Sequence, residues 1–378
     1  MRSLSQISRL FRSIRSGERQ QSLEGSVRIS PHRSVRILAN LGTEREYRLR
    51  SLFEQDGYQT RDIAVSHLSN CVLDTSTGLV VRNDGSLAEA ARHIASYFTD
   101  TTADDLPGRI WKAARTDIRD EIIHVFHRSC GAYGHFVLDG LCALALLSDQ
   151  VRRERLKILI PEFLPRWAVM ALADIGFDES WIVRAQGTVR LRHLALPSTV
   201  TGTNCFLPSP TAIRRLRELV NAPSKASGAR RIYLSREGAY SPRTAKNEAD
   251  VVAVFSDEGF EIVDPASLRF HEQINLFASA QVVAGNHGSA FANMVFAPPG
   301  AQIIDLMPEH WVGYWGDSGT PERWLLNLTA ACDHSYCLIL SPSSMEGEPY
   351  LPNVSTTLAK IEAETDLDAV RQAIASLA

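Results

Sequence analysis

Residues 281–306, QVVAGNHGSAFANMVFAPPGAQIIDL, carry the pattern from which the fold is read. Gln281–Ala284 reads as a short buried strand. The loop Gly285–Ser289 opens a helix that runs through Val295, Pro298–Gly300 makes a turn, and Gln302–Leu306 is the next strand. A strand, a helix and a strand joined by short Gly- and Pro-bearing turns make a βαβ unit, which sets its two strands parallel. The same rhythm runs upstream through the strand Arg231–Ser235, a helix at Asn247–Glu258, the strand Phe260–Val263 and a helix at Glu272–Ser279. Residues 206–345 are therefore expected to form a doubly wound domain.

The first half repeats the alternation. Ser34–Asn40, Glu121–Phe126 and Leu156–Ile160 read as strands. Leu87–Phe98, the mostly apolar Gly134–Asp149 and Pro165–Ile175 read as helices. This gives a Rossmann-like domain over 25–205. A linker follows at Leu196–Thr211, where Pro197, Gly202, Pro208 and Pro210 stand among Ser and Thr. Residues 346–378 end the chain in a closing helix. The expected fold class is α/β, with two doubly wound Rossmann-like domains facing a central cleft.

Composition narrows the function classes. The 378 residues carry a formal charge of −3, so nothing draws the chain as a whole to nucleic acid. Six scattered cysteines include no CxxC pair and read as buried small hydrophobes of a reducing compartment. No apolar run reaches the length of a membrane span. Within residues 1–24, Leu4, Ile7, Leu10, Phe11 and Ile14 recur at helical spacing, with Arg2, Arg9, Arg12, Arg15 and Arg19 around them. Such a basic amphipathic arm suits peripheral contact with an anionic membrane. The expected location is cytoplasmic, at most peripheral to the inner membrane face.

Three stretches have the residue types for chemistry. In Gly285-Asn286-His287-Gly288-Ser289, the glycines permit close backbone approach, Ser289 can cap the helix, and His287 is expected to project toward a ligand. After the strand Arg231–Ser235 come Arg236, Arg243, Asn247 and Glu248, and guanidinium groups suit diphosphate oxygens. In Tyr133-Gly134-His135-Phe136-Val137-Leu138-Asp139, His135 and Asp139 share one helix face, as a base and its orienting partner would. His124, His127, Cys130 and His135 also have metal-ligand chemistry, but two residues three apart on a strand point to opposite faces, so no metal site is expected. There is no Walker A loop, no GxGxxG after a first strand, and no Asp-x-Asp at a strand end.

The ordered set Ser235-Arg236, Arg243, Asn247-Glu248, Gly259 to Pro265, Gln273, Gly285 to Asn293 and Pro298-Pro299-Gly300 resembles glycosyltransferase family 61. Tyr133-Gly134-His135 with Asp139 is similar to that family's first-domain signature. Two positions depart from it. Glu237 stands where members often carry a second Arg, and Asp305 where the strand often ends in Glu.

The resemblance implies a GT-B-like fold and an inverting, metal-independent transfer of a sugar from a nucleotide-sugar, usually UDP-linked, to an acceptor hydroxyl. It implies the bacterial type that builds surface or capsular polysaccharide, with no cofactor beyond the donor. The acceptor is then a glycan or other hydroxyl held by the first domain, with Asp139 or His135 as base. The donor contacts are Arg236, Arg243, Asn247, Glu248, His287, Gly288, Ser289, Asn293 and Asp305. Two other readings fit the same residues: a nucleotide- or carbohydrate-binding protein without turnover, favoured by Glu237, and another GT-B-like group transferase.

Overall fold

A computed structural model describes residues 19–30, 35–39, 53, 57–90, 104–202, 207–222, 229–235, 245–312, 323–342 and 363–377. The chain is α/β, and its contacts divide it into two compact units: residues 1–27 with 60–220, and residues 28–59 with 221–378.

The first unit is built on a mixed sheet. From one edge the order is Arg19–Glu24, Ile63–Asp74, Thr188–Pro197, Thr116–Ile123, Lys157–Pro161 and Ile182–Ala185, with Val80–Val81 also on Ile63–Asp74. The last four strands are mutually parallel, as the helix-linked rhythm requires. Ile63–Asp74 runs antiparallel to all three of its neighbours. This half of the chain is therefore not the purely doubly wound sheet expected of it.

Ile63–Asp74 and Thr188–Pro197 were not anticipated as strands. Arg190, Arg192 and His193 interrupt the apolar pattern of the second, yet Val189, Leu191, Leu194 and Leu196 all enter the core with Leu68, Cys71, Leu73, Ile118 and Leu159. Each such side chain contributes about 1.5–3 kcal/mol on full burial. Arg190 lies over the Trp111 ring at 4.6 Å, so its charge does not oppose the strand.

The second unit carries a six-stranded, all-parallel sheet: Glu261–Val263, Arg230–Leu234, Ala280–Asn286, Gln302–Pro308, Ser335–Ser341 and Val35–Ala39. Strand order reverses between Arg230–Leu234 and Ala280–Asn286, which makes a topological switch point there. Gly285 allows the two strands to meet. A Cβ at that position would stand 2.9 Å from Leu234 Cβ and 3.0 Å from its carbonyl oxygen.

The unit boundaries differ from the sequence reading in three places. Val35–Ala39, assigned above to the first domain, is the edge strand of the second unit's sheet, on Ser335–Ser341. Helix Pro210–Leu219 belongs to the first unit, where Arg215 meets Asp149 at 2.5 Å and Ser209 caps the helix by accepting from the Ala212 amide. The closing helix Leu367–Ala375, counted apart above, belongs to the second unit. Its Ala369, Val370, Ala373 and Ile374 are buried with Tyr233, Phe255, Ile304 and Ile339.

The arm expected over 1–24 ends in a strand, Arg19–Glu24, and its earlier residues lie outside the described ones, as does most of the helix expected over Leu87–Phe98. Among the described residues no helix is long and apolar enough to cross a membrane.

Candidate functional site

In the first unit the strand Thr116–Ile123 ends sooner than its apolar run, and the chain leaves the sheet at His124. The expectation that His124 and His127 diverge on a strand therefore fails. Both line one small pocket with Asp139, Thr77, Leu196 and Val200. A turn at Tyr133–His135 then passes into a π-helical turn, Phe136–Leu141, before the regular helix Cys142–Glu154. Wide turns of this kind recur at functional sites. Gly140 is required there, because a Cβ would meet the Phe126 ring at 2.7 Å. Phe126 in turn stacks on Phe136 at 5.7 Å.

This local fold gathers three side chains on one carboxylate. His135 Nδ1 lies 2.8 Å from Asp139 Oδ2, and His127 Nε2 lies 3.1 Å from the same oxygen. Thr201 Oγ1 donates to Oδ1. Asp139 is only 5% exposed, whereas the His135 side chain is 23% exposed. Burial alone would raise the Asp139 pKa. The hydrogen bonds and charge attraction of His127 and His135 outweigh it and hold the carboxyl well below the usual carboxylate range.

An ionised carboxylate only accepts, so each facing ring nitrogen donates. His135 is thereby fixed with its proton on Nδ1, and Nε2 becomes its basic nitrogen. His127 Nε2, His135 Nδ1 and an Asp139 oxygen all lie within 4.8 Å of one another, which also suits a divalent cation. Cys130 is not part of that set. Its Sγ points at the His135 carbonyl, and burial pushes its thiol well above the ordinary value.

Sequence reasoning paired His135 with Asp139 but missed His127 and Thr201. Thr201 lies in the stretch read as linker, and nothing in its local sequence marks it. His127 is visible as a metal-type residue, but strand spacing sets it on the face opposite His124 and so hides its place in the site.

In the second unit, several residues expected at the donor are committed to internal bonds. His287 is fully buried. Its Nδ1 lies 2.8 Å from Asp305 Oδ2, and the Trp324 indole donates to its Nε2 at 3.0 Å. Asp305 Oδ2 also accepts from the Tyr336 hydroxyl at 2.7 Å. His287 therefore points into the interior and not out of its loop, and Asp305 braces it from a fully buried position. Asn293 donates to Gln273 at 2.8 Å.

Asn247 holds both the carbonyl and the amide of Thr365, each at 2.9 Å. Glu248 accepts from the Tyr233 hydroxyl at 2.9 Å and from Asn286 Nδ2 at 2.7 Å. These bonds tie the ends of two central strands to the helix Glu248–Asp257. Gly288, not Ser289, occupies the cap of the following 3-10 segment Ser289–Phe296, and no side chain caps it. Arg236 and Arg243 lie outside the described residues.

A family model described as Glycosyltransferase 61 matches residues 133–304, beginning at the Tyr133 turn and ending beside Asp305. Over that stretch, a little under half of its length, the chain is similar to the glycosyltransferase 61 family. It is thus an enzyme of the glycosyltransferase class, one that takes a sugar donor and an acceptor. No curated protein matches the chain.

Proposed function

We propose that this chain is an inverting, metal-independent glycosyltransferase of the GT-B kind. On this reading it transfers a sugar from a UDP-sugar to an acceptor hydroxyl in polysaccharide or glycoconjugate synthesis. The observation that carries the reading is the His135–Asp139 pair, braced on the same carboxylate by His127 and Thr201.

In this mechanism the first unit holds the acceptor. Its hydroxyl proton passes to His135 Nε2, and Asp139 stabilises the imidazolium that forms. The freed oxygen bonds to the anomeric carbon as the bond to the diphosphate breaks, and that electron pair leaves with the diphosphate. Asp139 itself is a poor base, because its conjugate acid is too strong and it already accepts three hydrogen bonds. This refines the sequence expectation, which left Asp139 and His135 as alternatives. In the second unit, ligands of such a parallel sheet bind beyond the carboxyl ends of its strands. Arg236 and Arg243, which follow Arg230–Leu234 in sequence, are the proposed partners of the diphosphate.

The test is a transfer assay across nucleotide-sugars with a panel of hydroxyl acceptors, the product anomer being read by NMR. Inverted product from a UDP-sugar supports the reading. Retention, or transfer of a group other than a sugar, contradicts it.

A further inference from the structure

The carboxyl end of Gln302–Pro308 runs directly into a single 3-10 turn, Glu309–Trp311, which the reading of donor residues above leaves unused. His310 lies on this turn with 2% of its surface exposed. Among the described residues neither of its ring nitrogens has a hydrogen-bond partner. Its ring stands beside that of Trp311, with centroids 6.1 Å apart.

An ordinary core histidine is satisfied. His287, at the end of the preceding strand, is bonded through both nitrogens to Asp305 and Trp324. Buried polar groups are paired in the great majority of cases, and an orphaned one calls for an explanation. Here two orphaned nitrogens sit on one ring at the ligand-binding edge of a doubly wound sheet. The strand before them lies next to Ala280–Asn286, which flanks the switch point.

We propose that His310 recognises the nucleoside of the donor, through ribose hydroxyl or base-edge groups, and not its diphosphate. This rests on the reading that the second unit holds a nucleotide-sugar. A neutral imidazole offers one donor and one acceptor. A nucleoside carries several separate groups of both kinds, ribose hydroxyls and base N–H and C=O, so two of them can satisfy the two nitrogens. A diphosphate only accepts and would leave one nitrogen orphaned. Burial keeps the ring neutral at working pH, pushing its pKa down to about 4. Both nitrogens are covered, so the ligand enters as the three-residue turn shifts or the ring rotates.

The experiment compares wild type with His310→Phe and His310→Gln by calorimetry with UDP and UMP, by inhibition with inorganic pyrophosphate, and by thermal melting without ligand. His310→Phe removes two unpaired polar atoms, so its unliganded melting temperature should stay level or rise, where a structural hydrogen-bonding role would lower it. Its affinity for UDP and for UMP should fall by the same factor, about tenfold for a lost pair of hydrogen bonds. His310→Gln should lose less, and pyrophosphate inhibition should not change. If the Phe variant does not fold, the Gln variant carries the same comparison. Undiminished UDP affinity in a wild-type-like fold overturns the inference alone, as does a loss seen with UDP but not UMP. Wild-type protein that binds no nucleoside diphosphate overturns the donor reading and this inference with it.

Discussion

His135 Nδ1 and Asp139 Oδ2 stand 2.8 Å apart across one turn of the chain. The carboxylate that fixes this imidazole is itself fixed by His127 and Thr201, which come from two other segments. A base held this way needs no rearrangement to present Nε2, and precise placement of a proton acceptor is where general-base catalysis obtains its rate.

The other buried histidine–carboxylate pair has a different task. Asp305 is wholly buried and bonded to His287 and Tyr336, so Asp305→Ala would take the shared carboxylate from His287 Nδ1 and the Tyr336 hydroxyl. Breaking a buried pair of this kind costs about 3–5 kcal/mol. Urea unfolding of Asp305→Ala should show that loss, while Asp368→Ala, at an exposed carboxylate, should stay within about 0.5 kcal/mol of wild type. A wild-type midpoint for Asp305→Ala would return Asp305 to a ligand-facing role.

What the sequence disclosed divides along these lines. Val282, Ile304 and their neighbours form continuous apolar runs bounded by Gly and Pro turns, so four of the six strands of the second unit's sheet are legible, while Ser335–Ser341 carries no such mark and Val35–Ala39 lies far away in the sequence. The mixed sheet of the first unit was not legible, because Arg190 and Arg192 mask the period of Thr188–Pro197 and cross-strand partners are far apart in the chain. His135 and Asp139 were legible because four residues on a helix share a face. Thr201 was not, since only the tertiary fold brings it 62 residues back to Asp139. His287 was misplaced for a related reason. A Gly-rich loop after a strand looks the same whether its histidine faces a ligand or, as here, a buried Asp and Trp.

Truncation separates the arm from the sheet. Arg19–Glu24 pairs with Ile63–Asp74, and Ser209 donates to Glu24 at 2.6 Å. Deleting residues 1–24 should therefore lower the melting temperature, while deleting residues 1–18 should lower it less. Identical melting of full-length protein and the 1–24 deletion would show that the edge strand contributes nothing.

Acid should weaken the fold well before carboxylates titrate. His124 is buried, and burial, followed by the charge of His127, pushes its pKa down to about 4. Its folded value lies below the unfolded value of about 6.5, so the unfolded chain holds more protons in between. Stability should fall as pH drops from about 6.5 toward 4, by about 3 kcal/mol for this group when the whole window is crossed. His310 acts in the same direction. Asp139, with its lowered pKa, adds its own loss only below about pH 3.9. Urea midpoints at pH 7, 6 and 5 check the sign, and a flat profile would contradict the buried, neutral state of His124.

Chelation addresses the three ligand-type atoms around Asp139. On the base mechanism, turnover should survive prolonged EDTA treatment, because the two imidazoles bond the carboxylate directly. Activity lost to EDTA and restored by one divalent ion would recast His127, His135 and Asp139 as a metal centre.

The central claim is that His135 takes the acceptor proton while Asp139 orients it. The most direct test is turnover measured beside donor affinity in His135→Ala and Asp139→Asn. Both variants should lose about 10²–10⁴-fold in kcat, the range for a displaced general base, with the nucleotide dissociation constant unchanged. Near-wild-type turnover in His135→Ala, or a loss that appears as weakened donor binding, would contradict the account.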